Sequence, residues 1–117
     1  MVGRTYDALP VGTVIDHPRS HRVTETGHRR FCEITDNTQP FHLDPDAGQA
    51  AGFDGILVHG LYTMTVAVGL SVPETTEETI IANLGYSQVE HPAPVAIGDE
   101  LYAQTEVVDR RHTSDGD

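Results

Sequence analysis

The sequence predicts a single α+β domain in which an antiparallel sheet is wrapped around one buried helix. Residues 59–71 are apolar on nearly every side, and a helix of that kind must be enclosed by other elements. Runs with strand character lie on both sides of it along the chain, at residues 7–20, 79–90 and 101–109. A chain of 117 residues, 38% of them hydrophobic, is large enough for one core and too small for two.

The strand over residues 101–109 has the clearest pattern, because apolar and polar side chains alternate along it with a period of two. A turn at Gly98 and Asp99 precedes it. The strand over 79–90 contains Ile80, Ile81 and Leu84 among other apolar residues. Both strands follow the apolar helix, which predicts that they pack on it as neighbours in one sheet.

Local signals place the helices. Thr24 is the predicted N-cap of a helix over residues 25–35, and Asp44 is the predicted cap of a short helix that starts at Pro45. Proline is tolerated at the first helical position because its missing N–H has no partner there. We expect the long apolar helix to end at Pro73, since proline disrupts a helix interior.

The charge balance excludes two classes of partner. Eighteen acidic residues against seven basic ones give a formal net charge of −11, and the chain has no lysine. Such a surface repels nucleic-acid phosphates and anionic membranes, so we expect neither as a partner. An acid excess without lysine is typical of halophilic proteins, whose surface charges are screened by molar salt. An acidic protein from a mesophile is the alternative.

The sequence predicts a cytoplasmic protein. No run approaches the ~20 apolar residues of a membrane span, and the N-terminus lacks the apolar segment of a secretory signal. A single cysteine, Cys32, excludes an internal disulfide and fits a reducing compartment.

A polar loop just before the apolar helix is the candidate site. It places Asp36, Asn37, His42 and Asp44 within nine residues, and Gly60 opens the helix downstream. The N-terminus of a helix carries partial positive charge and free N–H groups, which can polarise a carbonyl oxygen. An imidazole held beside that oxygen can move a proton. The loop and the helix together therefore predict acid–base chemistry next to a carbonyl group.

Three motifs in this order resemble a known family. They are Phe-x-x-x-Thr-x-Asn-x-Gln-Pro-x-His-x-Asp-Pro from Phe31, then Val-His-Gly at the start of the apolar helix, then Pro-Val-x-x-Gly-Asp-x-Leu before the last strand. The pattern resembles the MaoC-like dehydratases, which are (R)-specific enoyl-CoA hydratases with the hotdog fold. The residues of the first motif are most similar to those of the branch that includes mesaconyl-CoA hydratase. The resemblance implies a hydro-lyase acting on an acyl-CoA thioester, with no cofactor and no metal.

The resemblance assigns roles to the loop residues. His42 lies at the family histidine, which transfers a proton during hydration. The family aspartate falls on Asn37, which has no titratable proton and cannot be a general base. Either Asn37 positions the water while Asp36 takes its proton, or the chain has lost the base.

The resemblance also implies substrate-binding residues. The backbone N–H of Gly60 is expected to donate to the thioester oxygen as negative charge develops on it. Asp44 is expected to orient His42 in addition to capping a helix, and His59 either faces the substrate or pins the loop to the helix. Alternatives to the hydratase are a hotdog thioesterase and a non-catalytic acyl-CoA-binding subunit. A metal site at His42, Asp44 and His59 is a weaker alternative.

The last predicted element is short for this fold. Family members continue with a further strand after the one at residues 101–109, whereas this chain ends at a turn. Either the chain is incomplete, or it folds with a smaller sheet and depends on contacts with a partner chain. Hotdog proteins usually pair through their sheets, and an uncapped edge strand favours pairing. We therefore expect residues 1–117 to form one domain that assembles as a homodimer or higher homo-oligomer.

Overall fold

A computed structural model describes residues 3–4, 6–78 and 85–110 of the chain. Contacts between Cα atoms divide the chain into two units. The first unit comprises Met1–Ser20, Ala67–Tyr86 and Tyr102–Asp117, and the second comprises His21–Val66 and Ser87–Leu101. The polar loop of residues 36–44 belongs to the second unit.

The described elements include both strands and helices, as expected for an α+β protein, and four helices lie between the two strands along the chain. In chain order they are a 3₁₀ turn at Tyr6–Ala8, β1 at Val14–Arg22, α1 at Glu25–Ile34, α2 at Pro40–Leu43, α3 at Pro45–Ala50, α4 at Gly60–Thr75 and β2 at Glu100–Glu106. None of the helices in the described part of the chain is long and apolar enough to cross a membrane.

β1 and β2 form a two-stranded sheet whose strands are antiparallel. At one end of the pair, the amide of Val107 donates to the carbonyl oxygen of Thr13 at 2.8 Å, and Gly12 donates back to Val107 at 2.7 Å. At the other end, the amide of Val23 donates to the carbonyl oxygen of Asp99 at 2.9 Å. Residues far apart in sequence thus pair in the predicted antiparallel sense.

Two strand predictions were wrong at their boundaries. The first strand begins at Val14, because the chain turns just before it with Gly12 at a φ of 93°. The last strand ends at Glu106, close to where its partner enters that turn. Of the strand predicted at 79–90, residues 79–84 lie outside the described residues. Residues 85–90 are not a strand, and Gly85 has a φ of 150°, far from extended backbone.

The helix caps follow the sequence signals. The Thr24 hydroxyl accepts the backbone N–H of Gly27 at 3.1 Å at the start of α1. The Asp44 carboxylate accepts the N–H of Asp46 at 3.0 Å at the start of α3. These caps satisfy amides that have no partner inside the helix. The single turn α2 was not predicted.

The first unit has a buried polar centre at His17 on β1, whose side chain is fully buried. Its Nδ1 lies 2.5 Å from Glu74 Oε1 of α4, and its Nε2 lies 2.6 Å from Thr105 Oγ1 of β2. One imidazole therefore links three elements through both ring nitrogens, which removes the penalty of burying them unpaired.

α4 does not end at Pro73, as the sequence suggested, but continues to Thr75. A proline in a helix cannot donate to the carbonyl four residues earlier, here that of Gly69. The Arg19 guanidinium donates to that oxygen at 2.8 Å. A side chain from β1 thus supplies the missing donor, and the helix gains its last residues.

The second unit has a small apolar core of Val23, Val58 and Tyr62. Five partly buried side chains pack against it, namely Phe31, Val66, Val95, Ile97 and Leu101. Tyr62 places the first turns of α4 in this core. Within the described residues of this unit, α4 keeps exposed positions, since Leu61 is 51% exposed and residue 65 is also exposed.

Candidate active site

A cavity of about 420 Å³ opens beside the N-terminus of α4, and all of its lining residues belong to the second unit. His42 of α2 lines it together with Gly60 and Thr63 of α4. The other lining residues are Phe53, Leu57, Val58 and the segment 90–95. The histidine and the glycine that the sequence singled out therefore share one cavity.

The ring of His42 is held in one tautomer by the backbone. α2 begins at Pro40, which occupies the first helical position, and this turn carries His42 toward residue 57. Nδ1 of His42 lies 2.6 Å from the carbonyl oxygen of Leu57, so this nitrogen carries the proton and donates it. Nε2 of the neutral ring is then the basic nitrogen, as acid–base catalysis requires.

Among the backbone N–H groups of residues 59–61 at the start of α4, two have a hydrogen-bond acceptor. The N–H of His59 donates to Nε2 of His28 at 2.9 Å, and the N–H of Leu61 donates to Nδ1 of His59 at 3.1 Å. Between them, the N–H of Gly60 has no acceptor among the residues that the structure describes. An unpaired amide at a helix N-terminus attracts negative charge. Here it belongs to a residue that lines the cavity.

Three histidine rings cluster at this helix start. His42 and His59 stack with centroids 5.2 Å apart, and His28 meets His42 edge to face at 6.1 Å. Burial lowers the pKa of His28, and the neighbouring rings of His42 and His59 lower it further. Burial also lowers the pKa of His59, with His42 and His91 adding to the effect. His28 and His59 are thus favoured as neutral rings, which matches their roles as acceptors of backbone N–H groups.

Asp36 and Asn37 do not line this cavity; they line a separate depression with Arg29, Cys32 and Thr38 among others. Oδ1 of Asn37 accepts the N–H of Gln39 at 3.0 Å, a local turn that leads into α2. Asp36 is exposed and has a φ of 57°. Their predicted catalytic roles remain predictions.

The other two predicted binding residues have structural contacts. Asp44 is exposed and caps α3, and His59 is held between α1 and the first turn of α4. Within the described ranges, no group of three His, Cys, Asp or Glu side chains is placed to hold a metal ion.

Sequence reasoning missed two histidines. His28 is 1% exposed and accepts the amide of His59, 31 residues away. His91 lines the cavity, and its ring lies close to Gly60. A Cβ added at Gly60 would lie 2.8 Å from Nε2 of His91. The only sequence signal was the interruption of a strand pattern by His91-Pro92, which was interpreted as a break and not as part of a site.

Comparison with known proteins adds the family and the fold. A family model described as "MaoC like domain" matches residues 7–116. The solved structure of a MaoC-like dehydratase from Rhodospirillum rubrum superposes with a TM-score of 0.77 at 27% identity, covering 94% of this chain and 74% of that one. The predicted hotdog fold is confirmed by this similarity.

Two curated relatives are also similar. A mitochondrial 3-hydroxyacyl-[acyl-carrier-protein] dehydratase from Arabidopsis thaliana is 27% identical over 106 residues, which cover 90% of this chain and 60% of the relative. Mesaconyl-CoA hydratase from Haloarcula hispanica is 27% identical over 112 residues, which cover 96% of this chain and 31% of the relative. This chain therefore spans less than two thirds of the length of either. With the family model covering nearly all of the sequence, the chain belongs to the MaoC-like domain family.

Proposed function

We propose that this chain is a hydro-lyase that adds water to, or removes it from, the double bond conjugated to an acyl-thioester carbonyl. The observation that carries the proposal is the cavity lined by both His42 and Gly60, with one histidine nitrogen committed to Leu57 and the glycine amide unpaired among the described residues. The family and the two relatives whose names describe dehydratase or hydratase activity on acyl thioesters support it.

In the hydration direction, Nε2 of His42 accepts a proton from water as the water oxygen bonds to the β-carbon. The π electrons of the double bond form a new double bond between the α-carbon and the carbonyl carbon, and the π electrons of the carbonyl move onto its oxygen. The N–H of Gly60 donates to the enolate oxygen that forms. Protonated His42 then returns a proton to the α-carbon, the carbonyl re-forms, and the sum is one water added. Proton transfer of this kind contributes about 10²- to 10⁴-fold in rate. An oxyanion donor contributes about 10²- to 10³-fold.

The family aspartate is replaced by Asn37, and two interpretations stay open. In the first, Asn37 positions the water and Asp36, the nearest carboxylate in sequence, takes its proton. Asn37 also accepts the Gln39 amide in the turn before α2. In the other interpretation, His42 alone carries the proton and no carboxylate is needed in the cavity.

The substrate that we propose first is a coenzyme A thioester, with mesaconyl-CoA as the leading candidate. The similarity to the Haloarcula hispanica hydratase and the residues of the loop motif support this choice.

We further propose a cytoplasmic, halophilic protein that acts as a homodimer. The net charge of −11 supports the salt dependence, and the exposed Leu61 face of α4 supports pairing. Light scattering at molar potassium chloride tests the mass of the assembly.

A thioesterase is the second candidate, because the Glu90 carboxylate lines the same cavity. A carboxylate that directs water at the thioester carbon would release free coenzyme A. Glu90 is also bonded to the side chain of Gln88 at 2.7 Å, so it is not free of other contacts.

One assay separates the candidates. Crotonyl-CoA and mesaconyl-CoA are each mixed with the protein at high potassium chloride, and both enoyl-thioester absorbance and free thiol are followed. The hydro-lyase proposal requires loss of absorbance without release of thiol. Release of thiol would identify the thioesterase, and binding without either change would identify a non-catalytic subunit.

A further inference from the structure

The ring of His91 lies against the position that a side chain at residue 60 would take. A Cβ built on Gly60 would lie 2.8 Å from Nε2 of His91, 2.9 Å from Cδ2 and 3.0 Å from Cε1. No side chain fits at position 60 while the ring stays where it is. The glycine is therefore required for the approach of an imidazole as well as for that of a substrate.

This contact places two donors near one point. A Cβ position is about 2.5 Å from the backbone nitrogen of the same residue. Because that position is 2.8 Å from Nε2 of His91, this Nε2 lies no more than roughly 5.3 Å from the Gly60 nitrogen. Two N–H groups can share one oxygen when each reaches it at about 2.7–3.2 Å, which allows them to be up to roughly 6 Å apart. Gly60 and His91 satisfy this limit.

Both groups are available to a ligand. Neither the Gly60 amide nor the His91 ring has a hydrogen-bond partner among the described residues, and both residues line the cavity that His42 lines. Of the other two histidines at the helix start, each has Nδ1 already bonded, that of His42 to the Leu57 carbonyl and that of His59 to the Leu61 amide.

We propose that His91 is the second donor to the thioester oxygen, acting with the Gly60 amide. Nε2–H of His91 donates to the carbonyl oxygen of the bound thioester and keeps its proton, and the bond strengthens as that oxygen becomes an enolate. The inference rests on the proposed function, because it names the group that holds the charge formed in that reaction. The two histidines then have different roles: His42 transfers the proton, and His91 stabilises the negative charge on the thioester oxygen.

The test uses a thioester that cannot be hydrated. Butyryl-CoA carrying ¹³C at the thioester carbonyl is bound to the full chain, and the carbonyl stretch is read by isotope-edited infrared spectroscopy. We expect a shift to lower frequency in the wild type. His91→Phe keeps a ring of similar size without the donor and should lose most of that shift, whereas His91→Gln, which retains an N–H donor, should keep part of it. Ser87→Ala, an exposed position on the same segment outside the cavity lining, is the matched control and should keep all of it.

Turnover supplies an independent readout. For crotonyl-CoA, His91→Phe should lower kcat about 10²- to 10³-fold with little change in KM, because the donor acts mainly on the charged state. An infrared shift that is the same in the wild type and His91→Phe would overturn the proposal, as would a kcat that rises when the ring is replaced.

The two proposals fail separately. If the wild type binds butyryl-CoA with a His91-dependent shift but hydrates no enoyl thioester, the hydro-lyase proposal fails and the His91 donor stands. If it hydrates crotonyl-CoA without a His91-dependent shift, the reverse holds. Failure of the wild type to bind butyryl-CoA, together with failure to hydrate either enoyl thioester, would overturn both.

Discussion

Nε2 of His28 accepts the backbone N–H of His59 at 2.9 Å and so ties α1 to the start of α4. His28 is 1% exposed, so no water can replace it in that bond. The unpaired Gly60 amide follows immediately in the chain. The position of the proposed oxyanion donor therefore depends on a buried histidine that does not itself line the cavity.

Replacing His28 tests this anchor. His28→Leu leaves the His59 amide buried without an acceptor, which costs about 1–3 kcal/mol in the free energy of unfolding. His28→Gln keeps a carbonyl acceptor and should cost less. Urea unfolding followed by circular dichroism measures both, with the exposed Arg30→Ala as a control expected within about 0.5 kcal/mol of the wild type. Equal losses for Leu and Gln would show that the hydrogen bond is not what His28 contributes.

The lowered pKa of His28 and His59 predicts a pH dependence of stability. Below their ordinary value of 6.5, an unfolded histidine binds a proton more readily than these folded ones do. The unfolded chain then holds more protons, so their contribution is fully present above pH 6.5 and the free energy of unfolding falls as the pH drops through that value. Urea unfolding of the wild type at about pH 7.5 and about pH 5.5 should show this loss.

The matching variant isolates the histidine. His28→Gln cannot titrate, so the difference between its stabilities at the two pH values should be smaller than that of the wild type. An identical pH slope in both proteins would assign the effect to other groups.

His42→Ala removes the proposed proton carrier. We expect crotonyl-CoA hydration to fall by about 10²- to 10⁴-fold while the thioester still binds. Steady-state kinetics and calorimetric binding of butyryl-CoA measure the two effects. Gln49→Ala, on the exposed surface of α3, should retain full activity. A His42→Ala protein with wild-type turnover would disprove the assigned role.

The two glycines of α4 provide a matched pair. At Gly60 a methyl group would meet the His91 ring within 3.0 Å, whereas at Gly69 nothing lies within 4 Å. Gly60→Ala should therefore displace the His91 ring and lower kcat/KM, and Gly69→Ala should be active and about 0.4–1 kcal/mol more stable. Adding His91→Ala to Gly60→Ala should restore butyryl-CoA binding by removing the clash, without restoring the full kcat. A Gly60→Ala protein as active as Gly69→Ala would contradict the close packing.

Asn37→Asp restores the residue type that the family places at this position. A carboxylate oxygen still accepts the Gln39 amide, so the turn before α2 should be kept. We expect hydration to be equal to the wild type or faster. Asn37→Ala, which loses the acceptor, is the comparison and should destabilise the turn. A marked loss of activity in Asn37→Asp would mean that a neutral amide is needed there.

Features set by neighbouring residues were predictable. Thr24 and Asp44 cap their helices as expected, because a capping side chain bonds to an amide only two or three residues away. The glycine start of α4 and its apolar length were also predicted, as was the pairing of His42 and Gly60 at one site.

Features set by distant contacts were not predictable in the same way. The local chemistry of Pro73 predicts the end of a helix. Arg19, however, supplies a donor to the carbonyl oxygen of Gly69, and the helix continues. The strand boundaries depend on what the partner strand does, and the turn at Gly12 decides where pairing stops.

The amino-acid sequence by itself determined the family, the fold class and the helix caps, because these follow from side-chain chemistry and short spacings. Only the tertiary structure decided which ring nitrogen of His42 is basic, which amide of α4 stays unpaired and where His91 lies. Each of these depends on groups 15 or more residues apart along the chain, such as His42 and Leu57. A hydrogen bond of that span is a product of the folded packing and has no local signature in the chain.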